Sequence, residues 1–375
     1  LLDPFVGSGS TLEAALREGR RAIGIDSSAE QATALAARLA SVGVCVPVPA
    51  LEVSQLSLLD WSAPAPVVEV RQPVQARPVV EGNADEAKPF VRWVGGSQKS
   101  LPALLARLPA DVADRRYVDP FLGGGALFWA LRPQRALLSD ACAPLMAAWR
   151  ALALDPVGLL RELGVLQALR STRSLPEWYR LVTGLLDEDG TDAERGARLI
   201  AVNRSCFNGL WRVNGSGRFN AALDPASGGR DLVREDLLRG CAVVLAGADL
   251  DVQARSWEAT IEAAGAGDFI YADPPYDDED DGPPTLLGGP LAVQGHRYTA
   301  QAWTRGDLVR LADALARAAD RGAHVLSTNN PTAFAGEVFA SRGFTVEVET
   351  VTRSVSRDAS TRGAVDELYA TRRSS

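Results

Sequence analysis

The run Asp273-Pro274-Pro275-Tyr276 follows the apolar stretch Phe269-Ile270-Tyr271 and sets a carboxylate, two rigid backbone units and an aromatic ring side by side. The exocyclic amino nitrogen of a base such as adenine is a poor nucleophile, because its lone pair is delocalised into the ring. A carboxylate and a fixed carbonyl oxygen accept its two N–H groups and make the nitrogen more pyramidal. Asp273 and the carbonyl of Pro274 are the acceptors expected here, since proline fixes the backbone. Pro275 completes the turn, and Tyr276 stacks on the extracted base. A flipped base costs a few kcal/mol and one aromatic stack returns roughly 1–3 kcal/mol, so further contacts are needed. The blander reading of the same residues is a strand-ending turn that happens to carry an aromatic.

A second chemical pattern occurs twice. "DPFVGSGS" spans Asp3 to Ser10 and "DPFLGGGA" spans Asp119 to Ala126. A strand, a glycine turn and a helix seat a ligand whose atoms must approach the backbone. An acid at the end of the next strand then grips two ribose hydroxyls, and Asp26 and Asp140 occupy that position in the two copies. A third segment, Asn203 to Asn220, holds Arg204, Arg212 and Arg218 with no acid. Phosphates draw such arginines, and a bidentate arginine also reads guanine edges.

The elements that must position these residues alternate. In the first 45 residues, strand, glycine turn and helix are followed by a strand ending at Asp26 and an apolar-striped helix. Residues 61–88 are rich in proline and small or charged residues and read as an extended linker. From residue 89 the strand–glycine–helix order returns. Residues 155–201 are mainly helical, the arginine segment reads as a loop and hairpin, and the Asp273 turn is followed by an amphipathic helix, "DLVRLADALARAADRG", and another strand, "AHVLSTNN". This alternation predicts an α/β sheet with a helical insertion at about 155–235.

Composition narrows the setting. The 375 residues suffice for two domains, and 46% are hydrophobic against 23% charged, as in a globular protein. The net charge of −8 means that contact with nucleic acid needs a local basic surface. The four cysteines are scattered and there are two histidines, which argues against a zinc site and for a reducing, intracellular environment. No apolar run is long enough to span a membrane. A chain that begins with Leu inside an apparent strand reads as a piece of a longer product.

Taken together, residues from about 90 to the C-terminus resemble the Dam-type (D12 class) DNA adenine N6-methyltransferases. "RWVGGSQKSL", "DPFLGGG", "NRSCFNGLWRVNGSGRFN", "ADPPY", "STNN" and "VDELYATR" follow the family's order. The resemblance implies a Rossmann-like S-adenosylmethionine-dependent methyltransferase sheet, double-stranded DNA as substrate, in-line methyl transfer without a metal, and a monomer. It assigns Trp93, Gly95, Gly96, Lys99, Asp119, Phe121, Gly123, Asp140, Ser256, Trp257 and Asp273 to the cofactor. Ser97 and Gln98 separate Lys99 from the paired glycines, a departure from the family pattern. DNA contacts fall to Arg204, Asn208, Leu210, Arg212 and Arg218, with Tyr298 over the flipped base. After Asn220 the usual continuation is replaced by "AALDPASGGR", which leaves the recognition sequence open. The insertion "DDEDDGPPTLLGGP" after Tyr276 reads as a solvated acidic lid.

Residues 1–45 resemble the C-terminal part of an N4/N6-type DNA methyltransferase, in which the proline motif precedes the glycine loop. Only the glycine-loop half is present in residues 1–60. The absence of a Pro-Cys pair argues against cytosine C5 chemistry. Cytosine N4 methylation and a non-catalytic DNA-binding protein of decayed methyltransferase fold remain as alternatives.

Overall fold

The computed structural model describes residues 2–3, 22–24, 68–70, 80–93, 100–277, 303–353 and 363–373. The chain forms two compact units, Leu1–Arg77 and Pro78–Ser375. In the first, β1 (Leu2–Asp3) runs parallel to β2 (Ala22–Gly24), and β3 (Val68–Val70) pairs antiparallel with β2. Part of the proline-rich stretch read as linker is therefore a strand. Gly7, Gly9 and Asp26 lie outside the described residues.

The second unit is built on a seven-stranded sheet of β4 (Arg116–Asp119), β5 (Arg135–Asp140), β6 (Asp249–Ala254), β7 (Asp268–Ala272), β8 (His324–Asn329), β9 (Thr345–Arg353) and β10 (Gly363–Arg372). Their order across the sheet is β6-β5-β4-β7-β8-β10-β9. The first five are parallel, and β10 runs antiparallel to both β8 and β9. Strand order reverses between β4 and β7, which opens a crevice at their carboxyl ends where ligands of such sheets bind. Every residue of β7 is buried, as expected of a central parallel strand covered on both faces.

α1 (Leu101–Leu105) and α2 (Ala126–Leu131) flank β4, and α3 (Ala143–Leu154) follows β5. The insertion comprises α4 (Pro156–Ser171), α5 (Leu175–Gly184), α6 (Asp192–Ser205) and a hairpin, before α7 (Glu235–Ala246) returns the chain to β6. α8 (Trp257–Glu262) leads to β7, α9 (Arg305–Asp320) to β8 and α10 (Ala333–Ala340) to β9.

Period-2 alternation divides the core between the two faces. Tyr117, Phe269 and Tyr271 pack with α3 and the insertion, while Val118 and Ile270 pack with α9 and α10. α9 buries Leu308, Leu311, Ala312 and Leu315 at helical spacing, and Thr304 and Asp307 form its capping box. Residues 80–88 correct the expected boundary. Val80 and Ala87 are buried, and the Cys241 thiol on α7 donates to the Lys88 carbonyl at 3.3 Å, so this stretch belongs to the second unit. Among the described residues, no helix is long and apolar enough to cross a membrane.

The insertion meets the sheet unit where α6 crosses α3. A Cβ on Gly196 would lie 2.7 Å from the Ala148 Cα, too close without backbone movement. Gly196→Ala is expected to cost about 1–3 kcal/mol from overpacking, offset by up to about 1 kcal/mol of helix propensity. Urea unfolding should show a lower midpoint with an unchanged slope.

Candidate active site

β4 delivers Asp119 to the crevice, where it is 2% exposed. The Tyr117 hydroxyl donates to its Oδ2 at 2.8 Å and the Phe121 N–H to its Oδ1 at 3.1 Å. Burial nevertheless pushes this carboxyl up to about 8, and repulsion from Asp273 and Asp140 adds to the rise. The chain then turns through Gly123 at φ +48°, where a Cβ would sit 2.6 Å from the Trp93 ring. Only glycine allows that indole to cover the loop.

Asp140 ends β5 with both oxygens engaged by backbone. Oδ2 accepts from the Gly123 N–H at 3.0 Å and Oδ1 from the Cys142 N–H at 2.9 Å. Burial raises its pKa, and these amide bonds oppose the rise. Nearby, Phe121 stacks on Trp257 at 6.3 Å, and Trp303 meets both rings edge-on at 5.7 and 6.1 Å. Ser256 accepts the Ala259 N–H at 3.3 Å and caps α8, which holds Trp257 at the helix start. Gly95, Gly96, Lys99 and Tyr298 lie outside the described residues.

The Asp273 turn leaves β7 next to β8. The Thr328 hydroxyl donates to Asp273 Oδ1 at 2.7 Å, and the Tyr276 hydroxyl donates to Glu367 Oε1 on β10 at 2.7 Å. Asp277 corrects the expectation of a solvated acidic lid beginning directly after Tyr276, because it is 5% exposed. Its carboxylate accepts from Arg305 Nε at 2.7 Å and from the Thr332 hydroxyl at 2.6 Å. Its N–H donates to Asn329 Oδ1 at 2.9 Å, and its carbonyl accepts from Asn330 Nδ2 at 2.8 Å. The turn is thus pinned at both ends by β8. The rest of the acidic stretch is outside the described residues.

Thr328, Asp277, Arg305, Glu367 and Trp303 were not singled out from sequence. Thr328 and Glu367 lie inside "STNN" and "VDELYATR", but their partners are about 55 to 91 residues away along the chain.

The arginine segment begins inside α6 rather than in a loop. Asn203, 1% exposed, accepts the Arg92 N–H at 2.9 Å and donates to the carbonyls of Arg92 and Gly209 at 2.7 and 2.8 Å. The hairpin is closed by a bridge between Val213 and Phe219, with Asn214 Oδ1 capping its turn. Trp211 stacks on Trp93 at 6.2 Å and 16°, so the hairpin shares a wall with the cover of the glycine loop. Asn208 is exposed at φ 56°, and Leu210 is half-buried.

Arg212 spends Nε and Nη2 on Asn220 at 2.9 and 3.0 Å. Arg204 is half-buried and donates Nε to the Asp231 carbonyl at 2.6 Å. Burial, with repulsion from Arg234, lowers its pKa to about 10. Arg230 is bound to Asp224 at 2.5 Å, and Arg218 reaches Asp187 only at 4.0 Å. Among the described residues, Arg92, Arg204, Arg212 and Arg234 form no ion pair within 4.0 Å, although Asp231 attracts Arg204 and Arg234. In the same residues, no group of three or more His, Cys, Asp and Glu is arranged to hold a metal ion.

A sheet of this order, with a glycine loop and ribose-type acid beside a proline turn bearing a carboxylate, defines a Rossmann-like methyltransferase. Comparison with known proteins identifies the family. The D12 class N6 adenine-specific DNA methyltransferase family matches residues 93–355, and a DNA methylase family of the N6/N4 type matches residues 1–37. A type II methyltransferase of Lactococcus lactis subsp. cremoris is 28% identical over 78% of this chain and 98% of its own length. A DNA N-6-adenine-methyltransferase of Escherichia phage P1 is 30% identical over 77% of this chain, which spans 36% of that protein. A DNA adenine methylase of Vibrio cholerae is 27% identical over 75% of this chain and 94% of its own length. The chain belongs to the D12 class of N6 adenine-specific DNA methyltransferases.

Asp277→Ala removes a buried carboxylate from the Arg305 guanidinium and the Thr332 hydroxyl and is expected to cost about 2–3 kcal/mol. Arg305→Ala should cost at least as much, because it leaves the Asp277 carboxylate, whose side chain is 2% exposed, with the Thr332 hydroxyl as its remaining described side-chain donor. Chemical denaturation of both variants checks the order.

Proposed function

We propose that the chain transfers a methyl group from S-adenosylmethionine directly to N6 of an adenine turned out of double-stranded DNA, at a defined sequence and as a monomer. The observation that carries this reading is the convergence of Asp140, Asp119 and Asp273 on one crevice at the ends of β5, β4 and β7. The residues present fit this cofactor. The buried acids Asp119 and Asp140 suit a cation, the Gly123 loop turns beside the Trp93 ring, and Asp140 stands at the strand end where a ribose is expected. When bound, S-adenosylmethionine supplies an electrophilic methyl group on a sulfonium.

The chain's own residues do the rest. Asp273, steadied by Thr328, accepts one N–H of the target amine, and the Pro274 carbonyl accepts the other. Tyr276 stacks on the base, and Pro275 keeps the turn rigid. Phe121 and Trp257 offer apolar faces to the cofactor adenine. Trp93, Gly95, Gly96, Lys99 and Ser256 complete that seat.

Arg204 and Arg218 serve phosphates, and the mutual repulsion around Arg204 is relieved by an anion. Asn208, Leu210 and Arg212 read bases. Arg212 retains Nη1 for that purpose, because Asn220 occupies Nε and Nη2. Residues 1–60 are the glycine-loop half of a second module.

Sequencing that detects modified bases in DNA exposed to the chain tests the reaction, and N6-methyladenine at one recurring sequence is the expected result. Methylation of cytosine, or none, overturns the proposal. Asp273→Ala should abolish transfer with cofactor binding nearly unchanged, whereas Asp140→Ala should weaken cofactor binding by roughly 10- to 150-fold. Equal effects of both changes on binding contradict this division of roles.

The raised pKa of Asp119 adds a pH dependence. Below about 8 the carboxyl keeps its proton, and a cation beside it favours the carboxylate, so binding releases a proton and tightens as pH rises through that value. The ligand's own α-amino group titrates nearby at about 7.7–8.0. Comparison with Asp119→Asn isolates the protein's share. Calorimetry in buffers of different ionisation enthalpy should show less proton release in that variant between pH 6 and 8.

A further inference from the structure

Glu367 is 2% exposed on β10, one residue before the Leu368–Asn329 pairing that joins this strand to β8. Its Oε1 accepts the Tyr276 hydroxyl at 2.7 Å and its Oε2 accepts the Tyr369 hydroxyl at 2.9 Å. Tyr369 is fully buried, and the Arg107 guanidinium covers its ring at 4.1 Å from the centroid. One oxygen of Glu367 is therefore anchored to an immobile partner, while the other holds the tip of the aromatic in the catalytic turn. Burying a carboxylate between two phenols is a poor way to gain stability alone. Hydrogen bonds of this charge-assisted kind are short and directional, which suits them to orienting a side chain.

We propose that Glu367 is the positioning residue for Tyr276. Its bond to the phenol sets the axis of the ring before the target base arrives. The proposal rests on the reading of Tyr276 as the stacking partner of the flipped base. A tyrosine tethered only at Cα samples several rotamers, and ordering it during the reaction slows capture of the base. A second tether at the para oxygen fixes both ends of the ring's long axis, so that ordering is completed on folding. The Thr328 bond to Asp273 does the same for the acceptor at the other end of the motif. β8 and β10 thereby set the spacing between the base's amino acceptor and its stacking platform.

The test uses the full chain and duplex DNA carrying its methylated sequence, with 2-aminopurine in place of the target adenine for the optical measurement. Glu367→Gln, Tyr276→Phe, the double variant and Tyr276→Ala are compared by single-turnover methylation rate, 2-aminopurine fluorescence, S-adenosylmethionine affinity and thermal midpoint. Tyr276→Phe should slow transfer by about 10- to 100-fold and Glu367→Gln, which keeps a neutral amide oxygen as acceptor, by less than that, both with cofactor affinity unchanged. The double variant should be no slower than Tyr276→Phe, because the amide of Glu367→Gln only weakens, from charge-assisted to neutral, the bond that the phenylalanine removes outright. Both single variants should also alter the 2-aminopurine signal.

Independent, multiplying losses in the double variant overturn the positioning role. So does a Glu367→Gln variant that loses thermal stability but keeps the parent rate. If Glu367→Gln does not fold, Tyr276→Phe decides, because it leaves the carboxylate in place: a parent-like rate overturns the proposal. Tyr276→Ala separates the two levels of the argument. Parent-like transfer and fluorescence in that variant remove the stacking role itself. A large loss there alongside a parent-like Tyr276→Phe removes only the tether.

Discussion

Parallel strands end with their carboxyl edges side by side, so β5, β4 and β7 bring Asp140, Asp119 and Asp273 into one crevice whether or not three like charges tolerate it. Burial resists the charged form of the first two, and mutual repulsion raises Asp119 further. Much of the surrounding structure answers that cost. The Tyr117 hydroxyl and three loop amides donate to Asp119 and Asp140, and Thr328 donates to Asp273. Compensation is incomplete, as the elevated pKa of Asp119 shows. A crevice in which burial and repulsion leave an acid poised to take up or release a proton has the perturbed titration that marks functional sites.

The proline turn meets a different constraint. A loop that leaves a buried strand must satisfy its backbone and hold its side chains without a regular ladder. Here β8 supplies Thr328, Asn329 and Asn330 to the turn, and β10 supplies Glu367. The arginine hairpin is joined to the glycine-loop side by similar means. Asn203 clamps the backbone of Arg92, and Trp211 lies on Trp93, which in turn covers Gly123. One aromatic wall thus serves the glycine loop on one side and the hairpin on the other.

Much of this was legible in the sequence. The strand–glycine–helix rhythm, the helical insertion and the amphipathic helix leading to the strand at 324–329 follow from period and punctuation, and the structure has them in that order. Residues whose signal was compositional fared differently. Asp277 opens an acidic run and reads as solvated, but it is buried against Arg305 and Thr332. Residues 80–88 share the linker's composition, yet Val80 and Ala87 pack inside the second unit. Composition reports the average behaviour of a segment, whereas a single contact with a distant element decides an individual residue.

The sequence by itself determined the local geometry of each motif. Proline restricts φ in the Asp273 turn, glycine admits the positive φ at Gly123, and apolar β7 must be covered on both faces. Those properties belong to a few neighbouring residues and need no partner. Only the tertiary structure decided that Thr328 steadies Asp273, that Glu367 holds Tyr276, and that Trp93 meets Trp211. These contacts depend on which strands lie adjacent in the sheet and on how the insertion packs. Strand order and packing are set by burial summed over the whole core, and no short stretch of sequence carries that sum.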